Sequence, residues 1–309
     1  MMEGMTDSVS DRLPIPDAEH SVVVVDAPGD GPGYWAGAPS AALAADGSIY
    51  LAYRLRRPIG AGRGYANVVA RGEDGQRFET VAVIEREAFS CDSLERPALV
   101  ALPGGGWRLY VSCATPGSLH WRVDVLDAEE PERFDPRTAR TVLPGDRHTG
   151  VKDPVVLQHD GGWHVWLCCH PIDVPEEADR METRYGVSDD GISWRLGNVA
   201  LAPTPATWDQ RGARVAAVVV DRGSWLAYYD GRASAVDNAE ELTGIAVGSS
   251  PDRLEPQPGP VATSSDFCGG SLRYMDTVAL PDGGTRLFYE VRRGDGAHDL
   301  RTEYVPPRR

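Results

Sequence analysis

Two short runs set a carboxylate beside a cation immediately ahead of a proline: Glu95-Arg96-Pro97 and Lys152-Asp153-Pro154. Carboxylates so placed transfer protons or stabilise developing positive charge, and a neighbouring cation favours their ionised form. Lys152 stands out further as the only lysine among 31 basic residues. Arg214, Asp230, Arg232, Arg273, Asp276 and Glu290 follow later in the chain. Arginine forks match carboxylate and phosphate oxygens by two-point contact, so a site assembled from these groups suits an anion. Trp35 offers a flat apolar face, and His120 and His170 offer hydrogen bonds or proton shuttling. The histidines show no HExxH or close HxH spacing, so neither a metal nor another cofactor is expected. Cys91, Cys113, Cys168, Cys169 and Cys268 form no CxxC pair and read as small buried hydrophobes.

Composition narrows the partners. The 309 residues carry a net charge of −15 with an isoelectric point near 4.9, which repels polyanions and leaves no general basic footprint for nucleic acid. The first residues lack an apolar stretch behind a basic start, and nowhere do eighteen apolar residues run together, so no membrane association is expected. A cytoplasmic protein is the reading, with residues 1–17 as a disordered tail and 18–309 as a single domain.

What could bring those residues together is a repeat. Five β-like runs follow a turn, and their central Leu51, Leu109, Val165, Leu226 and Leu287 fall 58, 56, 61 and 61 residues apart. Each run is preceded by an Ala- and Val-rich stretch joined to it by Asp or Gly turn chemistry, and followed by a third alternating strand. Four repeats offer a fourth strand. The last repeat lacks it, while a Val-rich strand at 21–26 stands spare before the first repeat. The reading is an all-β, five-bladed β-propeller whose N-terminal strand completes the last blade.

In a propeller the innermost strands line the axis, and one end of them opens beside the connections between second and third strands. That geometry gathers Trp35, Glu95, Arg96, Lys152, Asp153, Arg214, Arg273 and Asp276 from the inner strands. The connections add His120, His170, Asp230, Arg232 and Glu290. Charges this close to a core are costly unless paired or used. The glycine-rich run 60–64 has no helix behind it to make a phosphate loop and reads as a flexible connection.

At this point the chain resembles the five-bladed propeller glycosidases, the group containing glycoside hydrolase families 43, 32, 68 and 130. The likeness spans nearly the whole chain in repeat length and blade pattern. Lys152-Asp153-Pro154 matches their middle-blade motif, and Glu95-Arg96-Pro97 looks like a variant of the motif one blade earlier. The resemblance implies a carbohydrate-active, glycoside hydrolase-like enzyme in which Asp153 and Glu95 are catalytic and Asp276 and Glu290 stand in reserve. Trp35, Arg96, His120, Lys152, His170, Arg214, Asp230, Arg232 and Arg273 would bind substrate. Two departures bear on this: Gly37-Ala38-Pro39 and Gly212-Ala213-Arg214 stand where family 43 places its first-blade aspartate and fourth-blade glutamate. The basic replacements point to an anionic sugar, a sugar phosphate or inorganic phosphate as ligand. The alternatives are a phosphorolytic or other non-hydrolytic sugar enzyme, and a propeller that binds a ligand without catalysis.

Overall fold

A computed structural model describes residues 12–264 and 270–307. Cys268 and the first eleven residues of the expected tail lie outside them. In chain order the strands are β1 (Val22–Val25), β2 (Trp35–Leu43), β3 (Ile49–Arg56), β4 (Gly64–Gly72), β5 (Glu79–Glu85), β6 (Leu94–Ala101), β7 (Trp107–Ala114), β8 (Trp121–Ala128), β9 (Arg140–Leu143) and β10 (Thr149–His159). They continue as β11 (Gly162–Pro171), β12 (Glu182–Ser188), β13 (Arg195–Leu201), β14 (Gly212–Asp221), β15 (Ser224–Arg232), β16 (Leu242–Ser250), β17 (Arg253–Pro256), β18 (Leu272–Ala279), β19 (Thr285–Arg292) and β20 (His298–Val305).

Three antiparallel sheets contain β6 to β9, β10 to β13 and β14 to β17. The remaining eight strands divide into β2 to β5 and β18 to β20 with β1, joined only by the bridge between Trp35 and His298. Five blades of four strands result. Strand β1 pairs antiparallel with β20, so the N-terminal segment supplies the fifth blade's outer strand and closes the ring. Residues 12–17, expected to fray, are held down instead: Leu13 is 1% exposed and Arg12 pairs with Asp221 at 2.7 Å.

Each blade buries its faces against its neighbours, giving one apolar cluster per junction. Tyr50 and Leu109 meet between the first and second blades, Tyr110 and Val165 between the second and third, and Trp166 and Val215 between the third and fourth. Leu226 and Leu287 meet between the fourth and fifth, and Leu51 and Phe288 seal the fifth to the first. Small residues dominate β2 and β14 because five strands converge there, whereas the outer β13 is largely exposed. Inner hairpins turn through left-handed glycines such as Gly47 (φ 86°) and Gly223 (φ 77°), a conformation costly for other residues.

Buried polar staples tie third strands to the next blade's inner strand. The Thr183 hydroxyl donates to the Ala213 carbonyl at 3.0 Å and accepts from the Val215 N–H at 2.9 Å. Thr243 donates to the Leu272 carbonyl at 2.7 Å, and Asn67 to the Glu95 carbonyl at 3.1 Å. Thr183→Val removes both bonds while keeping the side chain's shape, and should cost about 2 kcal/mol in urea denaturation by leaving two buried backbone groups unpaired. A loss under about 0.5 kcal/mol would show that the junction is held by apolar packing alone.

Candidate functional site

The inner strands do not run flat past the axis. Pairing skips at Gly37/Ser40 in β2, Leu94/Pro97 in β6, Lys152/Val155 in β10 and Arg273/Asp276 in β18. In three of these the skipped segment holds a non-glycine residue in the left-handed region: Ala38 (φ 51°), Asp153 (φ 52°) and Tyr274 (φ 54°). Backbone strain of this kind costs about 1–3 kcal/mol and is characteristic of functional sites. Its consequence is local: Arg273 and Tyr274, adjacent in sequence, both line one cavity, which a regular strand's alternation forbids.

That cavity occupies the axial mouth and has a volume of about 620 Å³. Its floor and walls carry seven cationic side chains, Arg54, Arg56, Arg63, Lys152, Arg214, Arg232 and Arg273, against three carboxylates, Glu95, Asp179 and Glu241. Ion pairs lock the lower layer. Arg54 holds Glu95 at 2.6 Å, Arg214 holds Asp230 at 2.8 Å and Asp153 at 3.1 Å, and Arg232 holds Glu241 at 2.8 Å. Arg273 bridges Glu241 and Glu290, the latter at 2.6 Å.

Burial alone would raise the pKa of Glu95, but Lys152, then Arg54, Arg56 and Arg63, reverse this and hold it well below the usual carboxylate range. Glu241 behaves alike, burial being outweighed by Arg273, Arg214 and Arg232, and Asp179 is lowered chiefly by its bond from Arg211 against the same opposing burial. All three lining carboxylates are therefore ionised. Burial keeps His170 neutral by pushing its pKa well down, helped by Lys152 and Arg232. Its Nδ1–H donates to the Ala178 carbonyl at 3.0 Å.

Several donors in the cavity wall are left over. Among the described residues, Arg54 Nε and Nη2, Arg232 Nε, Trp35 Nε1 and Trp121 Nε1 are buried without a hydrogen-bond partner. Among the described residues Lys152 has no carboxylate within 4.0 Å and no hydrogen-bond partner; its Nζ rests 5.0 Å from the centre of the Trp121 ring. Arg56 stacks 3.9 Å from the centre of the Trp35 ring, and burial lowers its pKa to about 10. Buried donors without partners are exceptional in folded proteins and mark where a ligand or water completes the set.

The structure thus brings Trp35, Glu95, Lys152, His170, Arg214, Arg232 and Arg273 to one cavity and separates the rest. Asp153, expected as a catalytic carboxylate, is 0% exposed beneath the floor, where it accepts from the Arg96 N–H at 3.0 Å and from Arg214. Asp230 and Glu290, also 0% exposed, are walled off by Arg214 and by Arg273 with His298. Glu290 fills the space beside Gly37, where a Cβ would collide with its carboxylate. Arg96 is no ligand contact: its guanidinium donates to the carbonyls of Pro39 at 2.8 and 3.0 Å, Ala216 at 2.7 Å and Met275 at 3.4 Å. His120 does not line the cavity and hydrogen-bonds Thr115 at 3.1 Å. Asp276 lines a separate axial cavity of about 140 Å³ with Arg96, Ser40 and Leu157.

Residues that sequence reasoning passed over complete the wall. Arg56 precedes the glycine-rich run read as merely flexible and Arg63 lies within it, and Asp179 and Glu241 lie in the two longest connections between second and third strands, whose course nothing in the sequence fixes. The alternation of Arg54 with Arg56 on β3 was the available signal for one of them.

No protein-family profile and no curated protein matches the chain. Solved structures do. A thermostable family-43 glycoside hydrolase superposes with a TM-score of 0.67 over 91% of this chain and 92% of its own at 14% identity. An alpha-L-arabinofuranosidase from Lactobacillus brevis gives 0.66 over 87% and 90% at 13% identity. A beta-1,2-mannobiose phosphorylase from Listeria innocua, in complex with beta-1,2-mannobiose, gives 0.62 over 96% and 93% at 13% identity. The chain has the glycosidase propeller fold. Within this glycosidase-like propeller the mouth is where charge, cavity and strained backbone coincide.

The separate position of Asp276 makes a prediction. Burial raises its pKa from 3.8 to about 6, against the opposing effects of Arg96 and the Ala41 and Thr277 N–H groups. The folded chain then holds a proton that the unfolded chain releases, so this group's contribution falls as pH rises from about 4 to about 6 and stays lost above. Asp276→Asn removes the titration while keeping an acceptor oxygen. Its Tm relative to the parent should rise between about pH 4.5 and pH 7.5; an equal difference at both would contradict the assignment.

Proposed function

We propose that the protein is a carbohydrate-active, glycosidase-like enzyme whose axial cavity takes a negatively charged sugar or sugar-like substrate. The observation that carries this is the surplus of unspent cationic donors, Lys152 foremost, in the mouth of a fold whose solved relatives in shape are glycoside hydrolases and a mannobiose phosphorylase. Guanidinium forks and an ammonium supply charge-assisted hydrogen bonds to carboxylate or phosphate oxygens, and Trp121 supplies an apolar face for ring C–H groups. The four cysteines among the described residues are free, which fits a reducing, cytoplasmic setting.

Two-carboxylate glycoside hydrolysis needs one carboxyl held neutral as acid and a second ionised. Glu95 suits the ionised role, as base or as stabiliser of positive charge at the anomeric carbon. None of the described lining carboxylates suits the acid role, since cations hold Glu95, Asp179 and Glu241 ionised. Lys152 is the one amine in the cavity and the group best placed to deliver a proton to a leaving oxygen. A phosphate-dependent reaction is the second reading. It is favoured by the Lys152 ammonium, which acts on Glu95 through space and holds no hydrogen-bond partner among the described residues, leaving it open to a phosphate oxygen.

Turnover of aryl glycosides of neutral sugars and of uronic acids, each with and without phosphate, tests the reading. Activity should be confined to the anionic substrates or to the phosphate-containing arm. Lys152→Met should weaken anion affinity about ten-fold, equal to about 1.4 kcal/mol, while shifting Tm by no more than a few degrees, because Lys152 is part-exposed and holds no ion pair. Equal turnover of neutral glycosides without phosphate, unaffected by Lys152→Met, would overturn the anionic assignment. Ligand-induced rises in Tm with no turnover of any substrate would make the protein a binding propeller.

A further inference from the structure

The cavity has two zones. Its floor is the charged layer already described, and its wall adds Pro32, Pro58, Ile59, Leu119, Pro175 and Ala239 beside Arg56, Arg63 and Asn238. The side chains around that wall are exposed to an unusual degree. Ile59 is 75% exposed, Leu119 43%, Val174 49% and Val236 88%. Each lies in the connection between the second and third strand of its own blade, from β3–β4 through β7–β8 and β11–β12 to β15–β16. The corresponding connection of the fifth blade is charged instead, with Arg293 bonded to Asp30 and Asp295 at 2.6 Å. The result is an apolar crown open on one side.

A single exposed hydrophobe needs no explanation, because much of any folded surface is apolar. Four recur in equivalent connections, and two of them, Ile59 and Leu119, stand in the wall of the charged cavity itself, where exposed aliphatic surface marks a binding surface. Loops at these positions face water and nothing in the blade packing demands an aliphatic side chain there. The crown is continuous with the cavity wall, Ile59 and Leu119 belonging to both. A ligand seated on the charged floor therefore has Ile59 and Leu119 beside its outward end.

We infer that the substrate is an amphiphile: an anionic sugar-like head on the charged floor, joined to an apolar group that lies against the crown. This rests on the anionic reading of the cavity and adds what lies on the other side of the head. Burial of aliphatic carbon is favourable in proportion to the area covered, so even partial cover of a short chain is measurable as affinity.

Calorimetric titration with inorganic phosphate, methyl phosphate, hexyl phosphate and hexanol separates the two claims without requiring the right sugar stereochemistry. All three phosphates should bind, hexyl phosphate at least ten-fold more tightly than methyl phosphate, and hexanol weakly or not at all. In a chain carrying Ile59→Ser and Leu119→Ser, both solvent-exposed changes, the ratio of the methyl and hexyl Kd values should fall toward one. Binding of inorganic and methyl phosphate with hexyl phosphate no tighter overturns the amphiphile and spares the anionic cavity. A flat response to all three phosphates defeats the anionic cavity and the amphiphile with it. A dimer by light scattering that the double substitution turns into a monomer would assign the crown to a second copy of the chain and also overturns the inference.

Discussion

One guanidinium holds the centre of the molecule. Arg96 leaves the second blade and spends its N–H groups on backbone carbonyls of the first, fourth and fifth, while its own backbone N–H is held by Asp153 of the third. At the axis, where the inner edges of five blades converge, inward-facing carbonyls would otherwise come together with nothing to donate to them. Hydrogen bonds from a charged donor contribute about 1.5–3 kcal/mol each when buried, and their loss would leave the carbonyls unsatisfied. Asp153, which looks from its motif like a reacting group, serves this bolt and the Arg214 side chain above it.

The same rule, that a buried charge must find a partner, organises the layer above. Arg54 with Glu95, Arg214 with Asp153 and Arg273 with Glu241 pair across blade boundaries, while Arg214 with Asp230, Arg232 with Glu241 and Arg273 with Glu290 pair within a blade, so that blades are tied by charge as well as by apolar contact. Exchanges between strands keep the lattice balanced: where the inner strand has Gly37, the facing strand supplies Arg54, and where the inner strand has Arg214 or Arg273, the facing strand supplies Asp230 or Glu290. Asp153, Asp230 and Glu290, the carboxylates of that lattice that do not line the cavity, are committed to structure. What remains for a ligand is the set with spare valence at its upper surface, led by Lys152, and the Trp121 ring beside it.

The architecture was legible because it is written in repetition. Leu51, Leu109, Val165, Leu226 and Leu287 recur at blade spacing, and the missing and spare strands at the two ends resolve into the pairing of β1 with β20. The site was legible only as a neighbourhood. Motif position brings Glu95 and Lys152 to the mouth but says nothing of depth. Asp153 and Arg96 turn below the floor because a left-handed bulge at Asp153 and the axial carbonyls claim them. Asp276 falls past the bulge, three residues beyond Arg273, and so faces the far side of the axis. Glu241 and Asp179 were missed for a different reason: they sit on long connections whose path is set by tertiary contacts rather than by local pattern.

The central claim is that the mouth is an anion site built in advance, with Lys152 free above a charge-balanced floor. Diffraction from crystals soaked in tungstate, whose anomalous signal marks a phosphate-like dianion, tests it most directly. The account predicts one strong peak inside the axial cavity in contact with Lys152 Nζ and the Arg54 guanidinium, with Arg96 unmoved. An empty cavity, with the Lys152 ammonium turned down into an ion pair with Glu95, would contradict it.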